Sequence, residues 1–181
     1  MAKFFLTNKK EWYVKTKERV TNSDFSLAFD YAKDGVYALT THKLKIKNTN
    51  AYENLEGDFV IATGTAIYKE SLDYTSVISD FGSLGIEGIR NNTIGQYAYI
   101  IKSAKNISVF GDSFGAYNIY YFQKDGYYYI SNFLYDMASI LRHEITLNEM
   151  NLLEYLVQRA ILCNETLFNE IKRLNGKEYI Y

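Results

Sequence analysis

"NISVFGDSFGAYNIYYFQKDGYYYISN", Asn106 to Asn132, is the stretch on which the fold turns. Three strand-like runs occur in it, at Ile107–Gly111, Ile119–Gln123 and Tyr127–Ser131. An Asp/Ser/Gly turn joins the first two, and Lys124-Asp125-Gly126 joins the last two. Asp112 and Ser113 lie on the first turn, where such side chains accept backbone N–H groups, so the pair is read as turn chemistry rather than catalysis. Beyond the third strand, Ser131 and Asn132 are candidate caps for a helix in "SNFLYDMASILR". Its Leu134, Met137, Ala138 and Leu141 share one face.

Working outward, strands are predicted at Lys3–Leu6, Glu11–Lys15, Ser26–Tyr31, Val36–Leu39, Leu44–Lys47, Phe59–Tyr68 and Gln96–Lys102. In "DFVIATGTAIYK" both alternating sets of side chains are apolar or small, and "GQYAYIIKS" behaves alike. A half-wet strand would alternate cleanly, so these are expected to be covered on both faces. A helix is expected within Tyr74–Ile89. Another is expected in "TLNEMNLLEYLVQRAIL", with a capping box of Thr146 and Glu149. Its Met150, Leu153, Leu156, Val157, Ala160 and Ile161 follow helical spacing. Strands covered twice plus amphipathic helices predict an α+β domain stacked as helices, sheet, sheet, helices.

Composition narrows the function. The 181 residues suit one domain, 48% of them are hydrophobic, and the formal net charge is −1. Lys and Arg are scattered, so neither nucleic acid nor an anionic membrane is an expected partner. "HKLKIK" reads as a strand with one solvated face. The N-terminal apolar run is too short for a signal peptide, and no run of about 18 apolar residues occurs. A cytoplasmic protein is expected. Cys163 is the one cysteine, which excludes an internal disulfide. It is placed at a helix C-terminus, where the dipole disfavours thiolate, so a packed or idle thiol is expected. His42 and His143 have no metal-ligand spacing. "GSLGIEG" lacks the Lys-Ser/Thr ending of a phosphate loop, and no "SGG" loop exists.

The order of segments carries a further reading. "GTAIYKESL" precedes "GQYAYIIKSAKNISVFGDSFGAYNIYYFQKDGYYYISNFLYDMASI", and "TLNEMNLLEYL" and "ETLFNEIKRLNGKEYIY" follow. From Asp58 to Tyr181 this resembles the N-terminal class II glutamine amidotransferase domain of the asparagine synthetase family, which includes β-lactam synthetases and lasso-peptide cyclases. The resemblance implies an Ntn-hydrolase-like four-layer α/β/β/α sandwich spanning residues 1–181. It also implies a site where glutamine would be hydrolysed to ammonia by an N-terminal cysteine whose own amine is the base. Here that position is Ala2, which cannot attack a carbonyl. The family's substrate-binding arginine falls at Lys43, a point charge instead of a bidentate fork. Its oxyanion-hole Asn-Gly pair becomes Gly64 and Thr65. The segment that holds the substrate's amino group has no clear match.

The resemblance therefore implies a degenerate, non-hydrolytic domain. It would be the structural and docking half of a longer or split ATP-dependent, amide-forming enzyme. The expected partner is a synthetase domain or subunit. ATP and Mg are expected only there, with no cofactor and no metal in this domain. The alternatives are a stand-alone binding module for a small molecule or precursor peptide, and an active glutaminase, which Ala2 argues against.

Overall fold

The structure, a computed structural model, describes residues 2–42 and 50–181. The chain runs β1 (Phe4–Thr7), α1 (Lys10–Thr21), β2 (Leu27–Lys33), β3 (Val36–Thr41), β4 (Ala51–Glu53), β5 (Phe59–Gly64) and β6 (Ile67–Tyr68). It continues with α2 (Thr75–Asn91), β7 (Thr93–Ile94), β8 (Tyr97–Ser103), β9 (Asn106–Gly111), β10 (Tyr120–Lys124) and β11 (Tyr127–Ser131). It closes with α3 (Leu134–Ile140), α4 (Glu149–Gln158), β12 (Ile171–Arg173) and β13 (Tyr179–Ile180). The architecture is α+β, with antiparallel sheets.

One sheet has the order β12-β10-β11-β1-β3-β2, and the other β13-β9-β8-β5-β4; β6 and β7 form a separate ribbon. Buried side chains gather in three clusters. Phe4, Leu6, Ala38 and Ile130 of the first sheet pack with Phe59, Ile61, Ala98, Ile100 and Val109 of the second. The opposite face of β5 and β8, with Val60, Ala62, Tyr97, Tyr99 and Ile101, packs with Val77 and Ile89 of α2. The opposite face of β1, β3 and β11, with Phe5, Leu39 and Tyr129, packs with Trp12 and Val20 of α1 and Met137 of α3. Both faces of β5 and β8 are thus covered, which is why neither strand alternates. Each buried Val, Leu, Ile, Phe or Met among them contributes about 1.5–3 kcal/mol by leaving water.

Several local expectations change. Glu11–Lys15 is helix, not strand: Trp12, Thr16 and Val20 recur every four residues and are the buried positions of α1. Five residues were too few to separate the two periods. The predicted strand Phe59–Tyr68 breaks at Gly64, whose φ of 79° turns the chain. Gly85 breaks α2 in the same way, with φ 63° and ψ −170°. Thr146 caps no helix. Its N–H and Oγ1 donate to the Glu170 carboxylate at 2.7 and 2.9 Å, and α4 is capped by Asn148 Oδ1, which accepts from Asn151 N–H at 3.1 Å. α4 ends at Gln158, with Arg159 left-handed at φ 57°. Met150, Leu153, Leu156 and Val157 are exposed instead of joining a core. The expected strand Leu44–Lys47 lies outside the described residues.

Candidate functional site

The first residue of interest is Ala2, fully buried ahead of β1. β1 runs through the middle of its sheet, between β3 and β11, and Ala2 directly precedes it. Around it the backbone is held by side chains. Thr40 Oγ1 donates to the Lys3 carbonyl at 2.9 Å, and Asn50 Nδ2 donates to Thr40 Oγ1 at 3.1 Å. Thr41 Oγ1 accepts from the Lys3 N–H at 2.9 Å.

Asn132 joins Ala2 to the loop between β9 and β10. Its amide Nδ2 donates to the Ala2 carbonyl at 2.9 Å and to the Tyr117 hydroxyl at 2.8 Å, while its Oδ1 accepts the Phe4 N–H at 2.9 Å. Ser131 and Asn132 were expected to cap α3. Ser131 Oγ does accept the Phe133 N–H at 3.0 Å, but it donates to the Phe4 carbonyl at 2.9 Å, and α3 begins after Phe133 without a side-chain cap. The Ser-Asn step is spent on fastening β1.

The Tyr117 ring lies over Gly64 at the end of β5. A Cβ on Gly64 would meet Tyr117 Cε2 at 2.7 Å and the Gln96 carbonyl at 2.2 Å. Burial pushes the Tyr117 phenol up from its ordinary pKa, against the pull of its hydrogen bonds. Asp112 sets this ring in place: its carboxylate accepts the N–H groups of Phe114, Ala116 and Tyr117 at 3.0–3.1 Å. The turn reading of Asp112 and Ser113 therefore holds for Asp112.

A chain of contacts runs from the Ala2 carbonyl through Asn132 to the Tyr117 hydroxyl, and the ring of that tyrosine packs over Gly64. Thr65 follows Gly64 but is exposed. Lys43 lies outside the described residues. Tyr117 and Asn132 were missed as site residues. The signal for Tyr117 was Gly64 itself, since a glycine inside an apolar strand marks close approach of another group.

On the other face of β1, Lys3 forms a buried ion pair with Asp136 at 2.5 Å, and Arg19 Nε reaches the second oxygen of the same carboxylate at 2.8 Å. Burial alone would raise the Asp136 pKa. The hydrogen bonds from Lys3 and Arg19 outweigh it and hold the carboxyl below its usual range. A cavity of about 700 Å³ opens here beside Arg142 and His143, and neither Ala2 nor Gly64 is in its wall. A second cleft of about 490 Å³ has Asn132 in its wall, with Tyr120, Tyr135, Tyr155, Arg159 and Arg173.

Cys163 is exposed and lies beyond α4, at φ 57°, so it is neither at the helix end nor packed. Among the described residues no three His, Cys, Asp or Glu side chains converge, and no helix is long and apolar enough to cross a membrane.

No family model and no curated protein matches the chain. Among solved structures, a glutamine phosphoribosylpyrophosphate amidotransferase from B. subtilis, complexed with ADP and GMP, overlaps with a TM-score of 0.45 and 10% sequence identity. The overlap covers 99% of this chain and 48% of that one, so the chain spans about half the length of that protein. So loose a likeness carries no inference about activity, and the fold described above stands on its own strands and cores.

Proposed function

We propose that this chain is a glutamine-amidotransferase-like domain of the Ntn type, an α/β/β/α sandwich that has lost hydrolysis. It serves as the structural and docking half of an ATP-dependent, amide-forming enzyme of the asparagine synthetase kind. The observation that carries the reading is the closed arrangement at the end of the two sheets. Ala2 offers a methyl group where a nucleophile would be needed, and Tyr117 fills the space over Gly64. Glutamine hydrolysis of the Ntn type needs a thiol and its own amine free on one residue, plus donors for the oxyanion. Neither Ala2 nor Gly64 has a side chain that could supply them. The three buried clusters support the layering, and the order of segments from Asp58 to Tyr181 supports the kinship. ATP and Mg would belong to the partner half.

The test is ammonia release from glutamine by the wild-type chain and by Ala2→Cys. Neither is expected to release ammonia above background, because restoring the thiol leaves Gly64 and Tyr117 unchanged. Turnover by the wild-type chain would overturn the reading.

The cleft beside Asn132 favours a second reading, a binding module. Three tyrosines and two guanidinium groups around about 490 Å³ suit an aromatic or carboxylate-bearing peptide or small molecule. Saturable binding of such a ligand, lost in Tyr155→Ala, would support that role over docking alone.

A further inference from the structure

The cleft beside Asn132 holds more positive charge than its own side chains balance. Glu165 is the one carboxylate in its wall, and Lys172 Nζ donates to both of its oxygens, at 2.8 and 2.7 Å. The two guanidinium groups of the wall, Arg159 and Arg173, are in no ion pair among the described residues. Arg173 on β12 stands opposite Tyr120 on β10, and its Nη2 donates to the Cys163 carbonyl at 2.9 Å, which fixes one corner of its planar fork. Arg159 follows α4 with φ 57°, a left-handed backbone that glycine adopts freely and a longer side chain does not. What arginine adds at that position is its charge and its donors. Tyr135 and Tyr155, in the same wall, are 72% and 46% exposed, so ring surface is open to a ligand.

We infer that this cleft is a site for an aromatic carboxylate, whose acid group is taken by Arg159 and Arg173 and whose ring is taken by Tyr135 and Tyr155. The inference rests on the reading of the cleft as a binding module and adds the group that the ligand must carry. A carboxylate fits the guanidinium fork with two parallel hydrogen bonds and supplies the counter-charge that the wall lacks. A neutral or cationic ligand would leave both guanidinium groups unbalanced. A volume of about 490 Å³ is that of a small-molecule site and admits one ring with its acid group.

Titration of the full chain, followed by amide-resolved NMR, tests it. The probes are N-acetyl-tyrosine and N-acetyl-tyrosinamide, which differ only in the carboxylate. The acid should bind saturably and at least about tenfold more tightly than the amide, as hydrogen bonds to a charged group imply. Arg159→Gly and Arg173→Gln should each weaken the acid to the level of the amide. Arg159→Gly should do so with no loss of stability, because glycine suits φ 57°, and this separates lost charge from a damaged fold. The tripeptide Ala-Ala-Tyr binding more tightly than N-acetyl-tyrosine would assign the carboxylate to a peptide C-terminus, and the reverse order would assign it to a free acid. Acid and amide binding alike, both lost in Tyr155→Ala, would overturn the carboxylate assignment and leave the binding module standing. So would an acid whose affinity neither arginine variant changes. If no probe saturates, both readings of the cleft fall.

Discussion

Tyr117 lies so close over Gly64 that a side chain of any kind at position 64 would strike it, with 2.7 Å between the added carbon and the ring. The same carbon would come within 2.2 Å of the Gln96 carbonyl, and the backbone at Gly64 has a φ of 79°. Backbone strain and overpacking therefore act together. Gly64→Ala should lower stability by about 2–4 kcal/mol. Urea unfolding would show it as a lower midpoint at an unchanged slope. Adding Tyr117→Ala should recover only part of the loss, because the Gln96 carbonyl remains.

Asn132 satisfies three groups at once, the Phe4 N–H, the Ala2 carbonyl and the Tyr117 hydroxyl. Truncation strands buried polar atoms, so Asn132→Ala should be destabilising by about 2–3 kcal/mol. Tyr117→Phe removes one bond and should be destabilising by about 1 kcal/mol. A double-mutant cycle should return a coupling of about 0.5–1 kcal/mol between the two. Strict additivity would mean that the hydrogen bond between Asn132 and Tyr117 contributes nothing.

Asp112 organises the turn before β10 through three backbone N–H groups. Asp112→Asn keeps the shape but halves the acceptors, and Asp112→Ala removes them. Hydrogen exchange at the amides of Phe114, Ala116 and Tyr117 should quicken in that order, by about tenfold or more for the alanine variant. Exchange in β1 should change far less.

Acid should loosen the contact between β1 and α3. The folded pKa of Asp136 is depressed, so its contribution is complete above its unfolded value of about 3.9 and fades as pH falls through the folded one. Asp136→Asn leaves Lys3, whose side chain is 11% exposed, without its counter-charge. The variant should be about 3 kcal/mol less stable at pH 7. That gap should narrow below about pH 4. Unfolding curves at pH 7 and pH 3 give the comparison, and a gap that widened in acid would contradict it.

How far the sequence carried depended on which interactions shape each segment. The run from Tyr97 to Ser131 was readable because its strands are contiguous and their turns carry Asp-Gly and Asp-Ser signals. The double covering of β5 and β8 was readable from missing alternation. α1 was not readable from Glu11–Lys15, because its periodicity emerges only when Val20 is included. Thr146 misled because its capping partner could equally be Glu170, distant in sequence and near in space. Ala2 and Gly64 were named through the resemblance in segment order. The hydrogen bond between Asn132 and Tyr117 was not legible, since the two residues lie 15 positions apart and meet only once the strands around them have assembled.

The position of β1 has a consequence for how the molecule is made. It is the first strand along these 181 residues, yet it sits between β3 and β11, and Phe5 pairs with Ser131. Until β11 has left the ribosome, β1 has only the β2–β3 hairpin to lean on. Late docking of a distant partner strand slows folding, because a long loop must close before it is rewarded. Refolding from denaturant should be slowest at the step that seats β1 between β3 and β11.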